Sequence, residues 1–269
     1  MRFYLSTMAD IVSYEEDGQW KMEYQNLTAP VAAKYGMGIE LAEFCLSHNL
    51  DEPNLAAVDA QIRDEKLPMV ADRVLHAPYN ELYPSAIDPK ARELCDLRYS
   101  QAWERAVEYG AKKIIIHSGW VPMIYYPGYF AEQSIDYWRR FLSEHREKLC
   151  ICLENVMETD GDTMLSIVQA LDDPRFRLTF DVGHAYVTSG EACYPWLEKI
   201  APWVSHFHIH NNVGEFDTHD PLDKGNIDMK RFLDFAIDLC PEASFTVECM
   251  EAEKCARWLK ENSYLEKNP

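Results

Sequence analysis

The sequence predicts an α/β protein, a single (β/α)8 TIM barrel in which residues 1–269 form one domain. Eight short apolar runs rich in β-branched residues recur along the chain at spacings of roughly 25–40 residues, the length of a βα unit. Amphipathic helical patterns lie between these runs, and eight parallel strands is the number that closes a barrel. The alternative is an open doubly wound sheet, which usually carries a Gly-rich first turn that the start MRFYLSTMAD lacks.

The eight predicted strands contain most of the chemistry-bearing side chains at their ends. In chain order they are MRFYLST, GMGIEL, RVLHAPY, KKIIIHSG, LCICLEN, FRLTFDVGH, VSHFHIHN and SFTVECM. Because parallel barrel strands all end at one face, we expect those terminal side chains to meet there.

Three segments between the strands show clear helical patterns. The segment DPKARELCDLRYSQAWERAVEYG is expected to end at Gly110, and SIDYWRRFLSEHREKL is expected to begin with Ser134 as its cap. The segment DMKRFLDFAIDLC repeats the same form. The expected buried face of the first helix consists of Leu94, Leu97, Ala102, Ala106 and Val107.

The composition narrows the partners and the compartment. Hydrophobic residues make up 47% of the chain, enough for a large core, and the formal net charge of −19 disfavours nucleic acid as a partner. No segment approaches the ~18 apolar residues of a membrane span, and the N-terminus does not resemble a signal peptide. The eight cysteines form no C-x-x-C pattern, so we interpret them as reduced thiols of a cytoplasmic protein.

The strand ends supply a set of side chains that all can bind metal. Any one of them has an ordinary structural explanation, such as a hydrogen-bonded core histidine or a helix N-cap. Together they are hard to explain by folding, because converging carboxylates repel one another unless a cation lies among them. The set is His76, His117, Glu154, Asp181, His184, His208 and Glu248, with Asp217 and His219 in the loop after the seventh strand.

Three alternating histidines of the seventh strand share one face. His206, His208 and His210 point inward by the period-two rule, but same-face neighbours lie roughly 6–7 Å apart along a strand. We therefore choose His208 as the metal ligand. His206 is expected deeper in the barrel as a hydrogen-bonded core group, and His210 is expected to rise into the loop and contact substrate.

At these residues the sequence resembles the xylose isomerase-like TIM-barrel superfamily, which holds sugar and sugar phosphate isomerases and epimerases and the endonuclease IV-like apurinic-site nucleases. The matching pieces are HAPY (76–79), IIIHSG (114–119), CLENV (152–156), FDVGHA (180–185), HFHIHNN (206–212), DTHDPLDKGNID (217–228) and VE (247–248). The resemblance implies that Glu154, Asp181, His208 and Glu248 bind a metal and that His184 contacts substrate. The nucleases add ligands at positions that match His76, His117, His184, Asp217 and His219, where they hold three zinc ions.

Departures from the nuclease pattern favour a small ligand. Glu40 stands where a loop that clasps DNA would carry basic residues, and the loop VPMIYYPGYF is aromatic and uncharged. Tyr79 and Trp120 are expected to line the pocket with His184 and His210. Lys224 and Arg63 are too isolated in the sequence to predict a phosphate clamp.

The leading hypothesis is a divalent-metal-dependent isomerase or epimerase of a sugar, a sugar phosphate or a cyclic polyol ketone. Glu154 and Glu248 would be catalytic and would transfer a proton through an enediolate. The mixed ligand set favours Zn²⁺ or Mn²⁺, with Co²⁺ also suitable. The alternative is a multinuclear zinc phosphodiesterase of the apurinic endonuclease type. A sugar-binding barrel without activity would not need both glutamates, and the sequence leaves homo-oligomer formation open.

Overall fold

Eight parallel strands close into a barrel in the computed structural model, which describes residues 2–266 without the side chains at 19 and 20. The barrel strands are β1 (Arg2–Ser6), β4 (Gly38–Leu41), β5 (Arg73–His76), β6 (Lys113–His117), β7 (Cys150–Glu154), β8 (Phe176–Asp181), β9 (Val204–Ile209) and β10 (Ser244–Val247). Consecutive barrel strands pair side by side, and β1 pairs with both β10 and β4 to close the ring. The predicted barrel is confirmed, and all eight predicted strands are present.

Helices connect the barrel strands. They are α1 (Thr28–Tyr35), α2 (Asn54–Gln61), α3 (Pro89–Glu108), α4 (Pro127–Glu144), α5 (Asp162–Leu171), α6 (Val182–Ser189), α7 (Cys193–Ile200), α8 (Met229–Leu239) and α9 (Ala252–Glu261), with a π-helical turn at Ile62–Lys66. Asp88 caps α3 and Asp228 caps α8 by accepting hydrogen bonds from backbone N–H groups of the first turn. None of the helices between residues 2 and 266 combines the length and the apolarity that crossing a membrane requires.

Two helix predictions differ from the structure. Helix α4 begins at Pro127, whose fixed φ suits the first helical position, so Ser134 is a buried residue of the helix interior and not its cap. Helix α3 buries Cys95, Tyr99 and Trp103 together with the expected Ala102 and Ala106. The expected core residues Leu94, Leu97 and Val107 are exposed instead. Two large aromatic side chains thus outweigh the aliphatic ones in setting the face of the helix.

An antiparallel hairpin between β1 and α1 is the element that the sequence analysis missed. Its strands are β2 (Ile11–Glu16) and β3 (Gln19–Tyr24), joined by Asp17 and Gly18 at φ values of 53° and 74°. Positive φ at both turn positions is the requirement of a type I′ turn, and Asp-Gly is a sequence that supplies it. The hairpin stands at the same end of the barrel as the strand termini and forms part of a cavity there.

The side chains inside the barrel change from apolar to polar toward the carboxyl ends of the strands. Its lower part holds the small apolar cluster of Tyr4, Val74, Ile115 and Cys152, separate from the large core between strands and helices. Two residues further along the same strands, the inward positions are Ser6, His76, His117 and Glu154. The period-two rule therefore collects polar and titratable groups at the carboxyl end of the barrel.

Candidate metal centre

Four buried side chains from consecutive strands converge at the carboxyl end of the barrel. Glu154 ends β7, Asp181 ends β8, His208 lies in β9 and Glu248 directly follows β10. The Nδ1 atom of His208 lies 3.1 Å from Glu154 Oε1 and 3.3 Å from Glu248 Oε2. It lies 3.7 Å from Asp181 Oδ2, and one ligand atom of each residue falls within 4.8 Å of the others. The structure thus brings together the four residues that the sequence analysis chose as metal ligands.

Asp181 is held by a side-chain bridge between neighbouring strands. Asn155 donates from Nδ2 to the carbonyl of Asp181 at 2.9 Å and accepts from the Asp181 N–H at 2.8 Å. Asp181 Oδ1 caps α6 by accepting from the N–H of His184 at 2.7 Å. The helix-cap explanation of Asp181 is therefore true of one oxygen, which orients the carboxylate, while Oδ2 faces His208.

A second group shares the Glu154 carboxylate. Glu154 Oε2 lies 3.3 Å from His76 Nε2 and 3.6 Å from His117 Nε2, yet this buried oxygen accepts no hydrogen bond. His76 Nδ1 lies 2.8 Å from the Ala77 carbonyl, which turns Nε2 toward the glutamate. Burial lowers the pKa of His117 to about 3, so its imidazole is neutral, the state in which a nitrogen can bind a metal.

A third group lies on the loop side of the first. Asp217 Oδ2 is 3.1 Å from His184 Nε2 and 2.9 Å from His219 Nε2, and Asp217 Oδ1 is 3.6 Å from His210 Nε2. Burial would lower the pKa of His219, but Asp217 and Glu248 raise it to about 9. The loop after β9 therefore does return Asp217 and His219 to the strand ends, as their inclusion in the predicted set requires.

His206 and Glu40 form a polar floor beneath the first group. His206 is buried and its ring nitrogens lie 2.6 Å from Ser244 Oγ and 2.9 Å from Thr246 Oγ1, so it occupies the deep position expected of it. Glu40 lies in β4 and points into the barrel, 3.1 Å from His208 Nε2, and so does not belong to a mouth loop. The sequence analysis missed this role, although Glu40 is the polar inward residue near a strand end, like Glu154.

His210 and the aromatic residues have different surroundings. His210 follows β9 as expected but is fully buried, with Nε2 3.2 Å from Asp181 Oδ1 and its ring stacked on His219. Its contact with substrate stays a prediction. Tyr79 stacks on His117 at 4.3 Å between ring centroids, and both Tyr79 and Trp120 line a cavity of about 640 Å³ above the metal groups. His184 also lines this cavity.

The surroundings of the two candidate catalytic glutamates shift their pKa values in opposite directions. Burial alone would raise the pKa of Glu154, but His208 and His117 hold it well below its ordinary value. Burial raises the pKa of Glu248, His208 opposes part of this effect, and the Glu40 carboxylate adds to it. The pKa values of the two neighbouring carboxyl groups are therefore shifted in opposite directions, down for Glu154 and up for Glu248.

The donor set fits a divalent transition metal. Glu40, Glu154, Asp181, Asp217 and Glu248 form no ion pair with Lys or Arg within residues 2–266, so imidazoles are their sole ion-pair partners there. Four of these carboxylates, Glu40, Glu154, Asp181 and Glu248, are buried. Buried carboxylates this close together repel one another, and a bound cation offsets that repulsion. Mixed imidazole and carboxylate ligands suit Zn²⁺, Mn²⁺ or Co²⁺ better than ions that prefer all-oxygen shells.

Comparison with known proteins agrees with this architecture. The family model described as xylose isomerase-like TIM barrel matches residues 30–262. The chain belongs to this family. A relative, the uncharacterized protein MJ1311 of Methanocaldococcus jannaschii, is 28% identical over 208 residues, which cover 72% of this xylose isomerase-like chain and 70% of the relative.

Two solved structures share the barrel along nearly its whole length. A D-tagatose 3-epimerase-like protein has a TM-score of 0.74 and 19% identity, with 99% of this chain and 97% of that chain covered. The IolI protein with a bound zinc atom has a TM-score of 0.70 and 15% identity, with 98% of each chain covered. At these identities the similarity establishes the fold of the xylose isomerase-like chain, and its chemistry has to be inferred from its own site.

Proposed function

We propose that the protein is a divalent-metal-dependent isomerase or epimerase of a sugar or a related polyol ketone, acting by proton transfer through an enediolate. One observation carries the proposal. Glu154 and Glu248 approach the same atom, His208 Nδ1, at 3.1 and 3.3 Å beneath a cavity of about 640 Å³. Two carboxylates this close can serve as the base that removes a carbon-bound proton and the acid that returns it.

Glu154, Asp181, His208 and Glu248 would hold the cation. When bound, such an ion acts as a Lewis acid toward a carbonyl and an adjacent hydroxyl and makes the neighbouring C–H more acidic. The presence of zinc in the IolI structure and the name of the epimerase-like structure support this proposal. The identity of the metal follows from neither, and Zn²⁺, Mn²⁺ and Co²⁺ are all compatible with the donor set.

Glu248 and Glu154 differ in how closely they can approach a substrate. Glu248 lines the cavity, so its carboxyl group can reach a substrate atom directly. Glu154 is fully buried and faces both His208 and His76. His208 and His117 hold its pKa well below the ordinary value of a glutamate. Positioned acid and base groups of this kind typically contribute ~10²–10⁴-fold to a rate.

Hydrogen exchange with solvent tests the mechanism. Ketoses, aldoses and inososes are incubated with the metal-loaded protein in D₂O, and NMR follows loss of the carbon-bound hydrogen next to the carbonyl. We expect exchange with the true substrate and a loss of at least about 100-fold in Glu248→Gln, because an amide cannot act as the base. Glu251→Gln is the matched control, since Glu251 is exposed three residues along the same loop. Unchanged exchange in Glu248→Gln would refute its role.

A zinc-dependent phosphodiesterase is the second candidate, and the two additional ligand groups favour it. His76 and His117 with Glu154, and His184 and His219 with Asp217, extend the site beyond one ion. Metal analysis of protein purified without chelator separates the candidates, with one ion per chain expected for the isomerase and three for the hydrolase. The net charge of −19 predicts no incision of abasic duplex DNA at nanomolar protein with zinc supplied. Incision would reverse our preference.

The cellular setting is part of the proposal. A small carbohydrate as the partner remains a prediction from the family resemblance. Absence of a nucleic-acid partner and a cytoplasmic location remain predictions from charge and cysteine usage. Homo-oligomer formation remains open.

A further inference from the structure

The walls of the cavity above the metal groups are apolar. Four methionines line it: Met8, Met22, Met157 and Met250. Met157 and Met250 are 46% and 57% exposed although they flank the candidate site. Unbranched, polarizable side chains adapt to the shape of an apolar partner, and exposed apolar groups beside a cavity mark a binding surface.

Aromatic rings extend this apolar wall. The ring of Tyr79 continues the stack over His117, and Trp120 lies edge-on to Phe130 at 5.1 Å beside the cavity. The hairpin adds Ile11 to the lining. The polar groups of the lining gather mainly at its floor, where His76, Glu248 and their neighbours lie, so one end of a ligand would meet donors and acceptors and the rest would meet hydrocarbon.

The described cavity wall carries no Lys or Arg side chain. Lys224 and Arg63, the cations considered for a phosphate clamp, are not in the lining and are paired elsewhere. Lys224 Nζ lies 3.4 Å from Glu251 Oε1, and Arg63 Nε donates to Asp59 Oδ2 at 2.8 Å. Glu81 in the lining adds a further acidic group. A phosphorylated ligand would thus find acidic side chains and no guanidinium or ammonium partner.

The cavity is also large for a simple sugar. Its volume of about 640 Å³ falls in the range of roughly 300–1,000 Å³ that holds drug-sized ligands, and a single monosaccharide is much smaller. Most of the volume not taken by the polyol is bounded by methionine and aromatic side chains, with Ser13, Asn80 and Glu81 as the polar exceptions, so the wall favours an apolar substituent.

From these three observations we propose that the substrate is an unphosphorylated polyol ketone or sugar that carries an apolar, aromatic-sized substituent. The polyol end lies on the metal groups and the substituent lies against the methionine and aromatic wall. This inference rests on the proposed function for the identity of the polyol end. The apolar substituent and the absence of a phosphate are inferred from the lining of the cavity alone.

Matched ligands test the proposal by binding alone. The dissociation constants of D-fructose, its 6-O-benzyl ether and its 6-phosphate are measured by calorimetry on metal-loaded protein, and the same is done for the 1-O-benzyl ether and the 1-phosphate. We expect at least one benzyl ether to bind ten or more times tighter than D-fructose, and neither phosphate to bind tighter. Tenfold corresponds to about 1.4 kcal/mol.

Substitutions in the cavity wall test which side chains cause the preference for a benzyl ether. The double variant Met157→Ser, Met250→Ser should reduce the preference for the benzyl ether several-fold. Met123→Ser is the matched control, because Met123 is fully exposed and lies outside the cavity lining, and it should leave the preference unchanged. A phosphate that binds tighter than D-fructose, no preference for either benzyl ether, or an equal preference in all variants would overturn the proposal.

The two proposals fail separately. A ratio of dissociation constants does not depend on which bond the protein breaks. If the benzyl preference holds but no substrate exchanges hydrogen with solvent, the wall is correctly assigned and the isomerase chemistry is wrong. If exchange occurs with an unsubstituted or phosphorylated sugar and the benzyl preference is absent, the reverse is true.

Discussion

Individual side chains at the site make two kinds of contact at once. Asp181 Oδ1 accepts from the His184 N–H at 2.7 Å, whereas Oδ2 lies 3.7 Å from His208 Nδ1, and both oxygens lie 3.2 Å from His210 Nε2. Glu154 divides in the same way, with Oε1 toward His208 and Oε2 toward His76 and His117. Both carboxylates are thus oriented by contacts within the protein, which lowers the cost of ordering them around an ion.

At the residue scale we predict that Glu154→Gln and His208→Ala lose stoichiometric metal. Changes in groups that merely orient ligands cost roughly 10–100-fold in affinity, so losing a ligand should cost more than about 100-fold. Elemental analysis of purified, dialysed protein is the measurement. His48→Ala is the control, since His48 lines a separate groove and should keep wild-type metal content. Full metal content in both site variants would show that the ligands are misassigned.

The ligand residues could be predicted from sequence because their positions depend on strand ends. Glu154, Asp181 and Glu248 each sit at a strand's carboxyl end, and a parallel barrel brings those ends together whatever the loops do. Glu40 was missed because the sequence analysis placed it in a loop at the barrel mouth, although it lies next to the last residue of β4, as His208 does in β9. The full burial of His210 depends on Asp181 at the end of β8 and Gly183 at the start of α6, whose approach to His210 sequence alone does not place.

At the element scale, the junction of β8 and α6 packs against β9 through Gly183. A Cβ at Gly183 would lie 1.9 Å from His210 Cε1, and its carbonyl accepts from Asn212 Nδ2 at 3.0 Å. We predict that Gly183→Ala destabilises the protein by roughly 1–3 kcal/mol in urea unfolding, because His210 must move from a packed position. Displacement of His210 should also weaken metal binding through Asp181.

Gly128→Ala provides the control for Gly183→Ala. Gly128 lies in the first turn of α4, and a Cβ there meets nothing within 4 Å. The same substitution should leave stability unchanged or raise it by up to about 1 kcal/mol, because alanine is the better helix former. Equal effects at the two glycines would mean that the packing against His210 is not tight.

A buried ion-pair network joins the segments that follow β1 and β4. Lys66, from the π-helical turn, places Nζ 2.7 Å from Glu43 Oε1 and in contact with Asp10, and all three are fully buried. We predict that Lys66→Met costs about 3–5 kcal/mol of unfolding free energy, because two buried carboxylates lose their cation. Lys34→Met, which breaks a surface pair with Glu253, should change little. A loss below about 1 kcal/mol for Lys66→Met would contradict this account.

Element predictions failed where local signals competed. The segment IVSYEEDGQWKMEY alternates and contains Asp-Gly, so it carries a hairpin signal, but the expectation of βα units directed attention to helices. Helix α4 begins at Pro127 because proline fits the first turn. The sequence shows this start signal as clearly as it shows the cap candidate Ser134. The exposed Leu94 and Leu97 of α3 show that aliphatic spacing alone does not define a buried face when Tyr99 and Trp103 compete.

For the whole molecule, metal binding should be coupled to stability. An ion at 100 times its dissociation constant stabilises the native state by about 2.7 kcal/mol. A chain of this length gains roughly 2–4 °C per kcal/mol, so we predict that removing the metal with a chelator lowers Tm by about 5–10 °C. Calorimetry with and without Zn²⁺ or Mn²⁺ is the measurement. His208→Ala should show no such difference, and an unchanged Tm in the wild type would argue against a tightly bound ion.

The shape of the cavity could not be predicted from the sequence, because it depends on contacts between loops that are far apart along the chain. Its lining joins Met8, Tyr79, Trp120, Met157 and Met250, which come from five separate connections after five strands. The number and order of the strands follow from a repeated local pattern, and the barrel is confirmed. The cavity volume depends on how unrelated loops pack over the strand ends, and no local pattern specifies that packing.

The two ends of the β2–β3 hairpin lie next to each other at the barrel mouth. Gln25 N donates to the Asp10 carbonyl at 2.8 Å, so the two ends of the segment are tied at its base. Asp10 on one side caps α1 through Thr28, and the barrel strand β1 ends before the hairpin begins. An excursion tied at its base can be shortened, lengthened or grafted from a relative without altering the barrel register. Substitutions at Ile11 and Met22 should therefore change the cavity wall while leaving the strand-end carboxylates and histidines in place.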